Sequence, residues 1–207
     1  SFISGKPGIP AQGVGALAAA LAKRITNIEL GRNINSLNEL AGPVIVATDV
    51  TTAAQLLDMT SVPKLAASTT WYHEVPKELT SSKCLIIDGQ KRGPVVNSIT
   101  ISNLAPAYAP AGKALLSSTT VDFASESEVR RHLALIWGTQ SSEWSLIAKY
   151  EIPQSLPIFA PGAQGVTSAK VATNIYVAGD YRSAPSQNGA LLSGRLAAEE
   201  LLFDERS

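Results

Sequence analysis

The C-terminal stretch constrains this chain most. Asn174-Ile175-Tyr176-Val177-Ala178-Gly179-Asp180 is a short apolar run stopped by glycine and followed by a carboxylate; a loop then leads through Ser186-Gln187-Asn188-Gly189-Ala190 into Leu191-Leu192-Ser193-Gly194-Arg195-Leu196-Ala197-Ala198. A run this short and without polar alternation is expected of a strand covered on both faces in a parallel sheet. Asp180 then stands at the carboxyl end of the strand, where open α/β sheets bind ligands. From Ala190 onward, apolar or small residues at 190, 191, 194, 197, 198, 201 and 202 form one helical stripe, and Ala190, Gly194 and Ala197 allow close approach. Gly189 permits a positive φ or a tight contact, and the first amides of the helix lack internal acceptors. A site for a negative or polarised group is therefore expected at the helix start. The same pattern also suits an ordinary strand-turn-helix with a solvated aspartate.

Composition narrows the function classes. The 207 residues carry 17 basic and 17 acidic side chains, with a charged fraction of 16%. That leaves no electrostatic footprint for nucleic acid or an anionic membrane surface. The single cysteine, Cys84, excludes an intrachain disulfide framework and a thiolate metal cluster, and its run Cys84-Leu85-Ile86-Ile87 reads as a buried strand. Two histidines without ligand spacing point to no metal site. No stretch approaches the roughly 20 apolar residues of a membrane span. The start, Ser1-Phe2-Ile3-Ser4-Gly5, does not read as a signal peptide, which suits a cytoplasmic or organelle-soluble location.

Along the chain, an alanine-rich helix is expected over 16–25, then a strand-like Ile28-Glu29-Leu30, a polar turn and Ile34 to Leu37. Val44-Ile45-Val46-Ala47 ends in Thr48-Asp49 before a helix from Thr52 to Leu57, and this alternation belongs to an α/β sheet. Gly5-x-x-Gly8 and Gly13-x-Gly15 follow no strand and lack the spacing of a dinucleotide loop. Between about 58 and 158, short alternating runs (68–73, 83–88, 95–103 and 113–121) separated by Gly and Pro turns indicate a mostly antiparallel sheet. Ser125 with Glu128 is a capping box that opens a helix to Trp137, and a strand follows over 144–152.

These residues carry a resemblance. Val-Ala-Gly-Asp at 177–180, a loop, then Asn-Gly-Ala-x-x-Ser-Gly-x-x-Ala-Ala-Glu at 188–199 is similar to the C-terminal flavin fingerprint of the FAD-dependent amine oxidase, phytoene desaturase and protoporphyrinogen oxidase-like superfamily. Ile28 to Leu37 followed by Val44 to Asp49 resembles the middle of the same family. The stretch from Ser102 to Lys113 and Tyr150-x-Ile152-Pro153 resemble its substrate domain. The resemblance implies a partial FAD-binding domain of the Rossmann-like, glutathione-reductase type over 1–57 and 159–207, enclosing a sheet-and-helix substrate domain over 58–158. By the same resemblance Asp180, beside Gly179, holds the ribityl and pyrophosphate region of FAD. Asn188, Gly189 and Ala190 offer amides to the isoalloxazine, the backbone at Ile34 meets the adenine, and the strand end at Thr48 passes near the nucleotide half.

The family begins with a strand, a Gly-x-Gly-x-x-Gly loop and a helix, and that segment is missing here. The expectation is a C-terminal fragment of an FAD-dependent oxidoreductase that oxidises an apolar amine, polyene or porphyrinogen-like molecule. Alone it would bind FAD weakly or not at all, because the pyrophosphate contacts lie on the absent segment. Alternatives are a flavin-dependent non-redox isomerase and a non-catalytic half-fold whose partner supplies the nucleotide loop. Self-association through an uncovered sheet face is a further expectation. No catalytic residue is assigned: the surroundings of Lys64 do not match the family's flavin-proximal lysine, His132 reads as solvated on the polar side of its helix, and His73 lies on a strand beside Trp71 and Tyr72. Trp71, Tyr72, Tyr108 and Trp144 could line an apolar pocket, although strand aromatics are more often core.

Overall fold

A computed structural model describes residues 8–162 and 167–206; Gly5 of the first glycine pair and the Ser1–Gly5 start lie outside them. In chain order the regular elements are α1 (Gly15–Ala22), β1 (Val44–Val46), α2 (Val50–Leu56), β2 (Leu65–Pro76), β3 (Ile86–Ile87), β4 (Val95–Thr100), β5 (Lys113–Thr120), α3 (Glu126–Trp137), β6 (Ser145–Pro157), β7 (Lys170–Ala172), β8 (Ile175–Val177) and α4 (Gln187–Asp204). The architecture is mixed α/β with two sheets, β1-β8-β7 and β3-β4-β5-β2-β6. Two compact units divide the chain between Ala66 and Ala67 and between Pro153 and Gln154, with the segment up to Glu29 grouped with 67–153. In that grouping the Tyr108 hydroxyl donates to the Pro10 carbonyl at 2.6 Å.

The first unit is built on antiparallel pairing: β2 beside β5, and β5 beside β4, with a register shift between Val95 and Asn97. Alternate residues of β2, β4 and β5 face one way, and α3 covers them. Trp71, Val75, Val95, Leu116, Val129, Leu133 and Trp144 form the resulting core. Trp71 and Trp144 are therefore core residues rather than pocket lining, and the Trp71 indole donates to Thr120. The α3 helix starts as its sequence indicates, with Ser125 and Glu128 satisfying each other's backbone amides, and Gly138 ends it in the left-handed conformation.

Both histidines belong to this core. His132 is buried, not solvated: the Val95 N–H donates to its Nδ1 at 3.0 Å, so Nε2 carries the proton and donates to Asp88 at 2.8 Å. Asp88 also accepts from the amides of Gln90 and Arg92 and from the Arg92 side chain, tying the β3–β4 turn to α3. The Arg92 amide first, then His132 and Gln90, brings its carboxyl from 3.8 to about 2. The polar-face reading failed because a serine-and-charge helix surface hides one position that meets the turn, where Gly93 lies so close that a Cβ would stand 2.5 Å from the imidazole. His73 is fully buried, 3.3 Å from the Glu126 carboxylate, which also pairs with Arg130. Burial lowers its pKa.

Other local expectations also change. Ile28 to Leu30 form no strand, and Leu30 is 86% exposed. Ile34 to Leu37 are not a strand either: Ser36 and Glu39 close a capping box on a short 3₁₀ turn, Leu37–Glu39. Cys84 is exposed before β3, because the Asn103 amide group takes the carbonyls of Thr80 and Ser82 and holds 80–84 as a loop. The helix expected over 16–25 is shorter and buries none of its residues.

In the second unit, β1 and β8 run parallel and β7 joins β8 antiparallel. Val46 and Val177 face α2 and Leu37, while Tyr176 and Ala178 face α4 through Ala197 and Leu201. The strand is thus covered on both faces, as its unbroken apolar run implies. Among the described residues no helix is long and apolar enough to cross a membrane.

Leu133→Ala would open a cavity in the fully buried core and is expected to cost about 2–5 kcal/mol in denaturant unfolding. Because the Asp88 carboxyl is depressed by its native partners, its contribution is present above pH 3.8 and is lost as the pH falls towards about 2. The stability gap between the wild type and Asp88→Asn is therefore expected to narrow over that window.

Candidate functional site

Parallel pairing of β1 with β8 sets Val44, Ile45 and Val46 beside Ile175, Tyr176 and Val177, and the Ala178 amide donates to the Val46 carbonyl at 2.9 Å. Both strands therefore deliver their carboxyl ends to the same edge: Thr48-Asp49 from one, Gly179-Asp180 from the other. The two aspartates do different things. Asp49 turns back on its own chain as the cap of α2, accepting the amides of Thr51 and Thr52 and, at 2.6 Å, the Thr52 hydroxyl. That hydroxyl above all holds its carboxyl below the usual range. Asp180 instead opens a 3₁₀ turn, Asp180–Arg182, and lines a cleft of about 60 Å³ with Asp49, Val50, Gln154 and Ser155.

Three small residues of α4, Gly189, Ser193 and Ala197, are the ones it buries, and they recur every fourth position. The stripe read from the sequence matches this face only in part: Ala197 is fully buried and Leu201 packs on the same core, but the first turn of the stripe lies off the face. Ala190 is exposed, and a Cβ at Gly194 would meet nothing within 4 Å. The missed signal was a serine at a small-residue spacing: the Ser193 Oγ accepts the Gly179 amide at 3.1 Å, fixing the strand end to the helix. Gly179 itself has the Tyr181 ring where a Cβ would go, 2.2 Å away. Burial pushes the Tyr181 phenol up to about 12.

The helix start needs a second correction. It begins at Gln187, and Ser186 caps it. The Gly189 amide donates to the Ser186 Oγ at 3.0 Å, and the Ala190 amide to the Ser186 carbonyl at 2.9 Å. These two amides are spent, so the first-turn donors outside the cap are those of Gln187 and Asn188, both exposed. Of the two possibilities for Gly189, tight contact holds: a Cβ there would stand 2.0 Å from the Ala184 carbonyl oxygen, where the loop folds back over the helix. The turn carrying Asp180 packs against α4. Among the remaining sequence candidates, Thr48 is exposed and donates its hydroxyl to the Asp49 carbonyl, and Ile34 is half-buried just before the 3₁₀ turn at Leu37. Lys64 is exposed, and its carbonyl accepts the Ile158 amide.

A larger cavity of about 390 Å³ lies on the α2 face of the same sheet, among Leu37, Asn38, Leu56, Met59, Val177 and Arg182. Sequence reading did not single it out, because its wall joins three segments distant in sequence.

Comparison with family models decides the kinship: residues 33–202 match the model for flavin containing amine oxidoreductase. The chain belongs to this flavin amine oxidoreductase family. The family match embraces β1, β8 and most of α4. Comparison with curated protein sequences returned no match. Among solved structures, a reduced UDP-galactopyranose mutase shares 12% identity at a TM-score of 0.69, over 92% of this chain and 52% of that one. A protein assigned as a protoporphyrinogen oxidase from Exiguobacterium sp. 255-15 shares 14% identity at 0.67, over 94% and 52%. An oxidoreductase from Methanosarcina mazei shares 14% at 0.54, over 76% and 42%. These likenesses establish the fold, and the chain spans about half the length, or less, of those proteins. A family flavin is thus implied.

Removing the cap with Ser186→Ala is expected to cost about 1 kcal/mol in denaturant unfolding. Gly189→Ala must displace the Ala184 backbone, and its thermal midpoint is expected to fall further than that of Ser186→Ala.

Proposed function

We propose that this chain is the C-terminal part of an FAD-dependent oxidoreductase and that it supplies one wall of the cofactor site. The observation that carries the reading is the parallel β1–β8 pair, which brings the Asp180 carboxylate to the same sheet edge as Thr48-Asp49, within a chain of the flavin amine oxidoreductase family. The residues fit a flavin in part. Asp180 is free of the capping duty that occupies Asp49 and would accept hydrogen bonds donated by the hydroxyls of the ribityl chain or its neighbouring ribose. The exposed amides of Gln187 and Asn188, at the positive end of α4, would face the pyrimidine edge of the ring system. The backbone at Ile34 would meet the adenine. A cleft of about 60 Å³ is far below the size of an isoalloxazine, so the opposite wall comes from a segment carrying the pyrophosphate loop.

That segment would extend the sheet beside β1, which ends the order β1-β8-β7. This chain alone therefore binds FAD weakly. Flavin, when bound, supplies acceptance of a hydride or its equivalent, and the chain's part is to hold and orient it. The substrate class is an apolar amine, polyene or porphyrinogen-like molecule. A second reading retains the flavin without net oxidation, and the mutase among the structural neighbours favours keeping it.

The test is FAD titration, followed by flavin absorbance and fluorescence, of this chain alone and of the chain co-expressed with a strand-Gly-x-Gly-x-x-Gly-helix segment from the family. Tight binding is expected only with the segment. In that complex Asp180→Ala should weaken binding about tenfold or more, the loss of a charge-assisted hydrogen bond. Undiminished binding by Asp180→Ala would remove the assignment.

A further inference from the structure

From the geometry of β6 we infer that this strand is a self-pairing edge, at which a second copy of the chain adds antiparallel across a two-fold axis through Tyr150. The strand closes the sheet order β3-β4-β5-β2-β6, so one of its edges has no partner among the described residues. Its part in the first unit, Ser145 to Pro153, is exposed almost throughout, with Leu146, Ile147, Tyr150 and Ile152 all large and apolar. A long apolar edge of this kind is a template for another strand.

Two further observations select a second copy as the occupant. Proline lacks an N–H, so in a sheet it is placed where that N–H would point away from the neighbouring strand. Pro153 therefore fixes the phase of β6: its backbone, and by the period of two that of Glu151 and Lys149, faces the open edge. An antiparallel copy centred on Tyr150 sets Lys149 directly opposite Glu151 of the other copy, and Glu151 opposite its Lys149. Each such pair exchanges two backbone hydrogen bonds. The strand is thus complementary in charge to itself in this one register. Within each chain the Lys149 ammonium already contacts Glu151 and lies 4.8 Å from the centre of the Trp71 ring, which fixes the basic half of the pair beside the strand. The two Tyr150 side chains meet as the close, non-hydrogen-bonded pair, on the face where Tyr150 already packs edge-on to Tyr72. The interface is isologous, as two-fold pairing requires. Pro153 limits its length, since Ile147 opposite Pro153 gains no donor. The pairing is independent of the flavin reading and uses none of its residues.

Sedimentation equilibrium on the full chain over a concentration series tests this. A monomer–dimer equilibrium is expected. Lys149→Glu and Glu151→Lys each place like charges opposite one another and should weaken dimerisation about tenfold, whereas the double exchange should restore it. Mixing the two single variants should give a heterodimer tighter than either homodimer, since an acidic edge then meets a basic one; both side chains are at the surface, and circular dichroism verifies that each variant is folded. A monomer at every concentration, a dimer indifferent to the single exchanges, or a double variant that stays weak would overturn the inference.

Discussion

The second unit depends on one contact, the Gly179 amide donating to the Ser193 hydroxyl at 3.1 Å. A strand that ends in a buried environment must find acceptors for its last amides, and a buried N–H without one carries a full desolvation cost. Ser193 meets that need only because Gly189 and Ala197, one turn to either side, are small enough to let α4 lie against the end of β8. With the helix that close, Ala184 can fold over Gly189, Ser186 can cap the first turn, and Asp180 is left at the strand end facing a cleft. Hydrogen bonding and small-residue packing together aim the carboxylate.

The first unit follows a different logic. Two polar clamps hold it: His132 between Val95 and Asp88, and Glu126 between His73 and Arg130. Each links a strand or turn to α3, so the helix is fixed in register as well as pressed down by apolar contacts. The two histidines, the only residues in the sequence with an ordinary pKa near neutrality, are used for architecture. This moves attention for chemistry away from them and towards the parallel strand ends of the other unit, where we propose that the flavin is held.

A similar separation of duties holds within the candidate site. Asp49 and Asp180 occupy equivalent positions on neighbouring parallel strands, yet one is consumed in capping a seven-residue helix and the other is not. The difference lies in the following residues. Thr51 and Thr52 offer an amide pair and a hydroxyl to Asp49, whereas Tyr181 follows Asp180 and folds its ring under Gly179 instead. Local chemistry thus decides which carboxylate remains available to a ligand.

Much of this was legible in the sequence wherever the signal was local and periodic. The unbroken Ile175–Val177 run, the alternation along β2 and β5, and the Ser125–Glu128 box each dictate their element, because backbone sterics and hydrogen bonding act over a few residues. The fingerprint at 177–199 identifies the family by the same short-range pattern. Other features had to wait for the fold. Whether Ile28–Leu30 pairs depends on a neighbour that residue identities cannot supply. Burial of His132 depends on a turn forty-odd positions away, and the occupied amides of Gly189 and Ala190 depend on the path of the loop before them. Residue identities alone were enough for the kinship and for those elements whose signal is local. Which polar groups are spent on holding the elements together and which remain for function follows from the folded arrangement, because a hydrogen bond between distant residues is a fact of proximity rather than of composition.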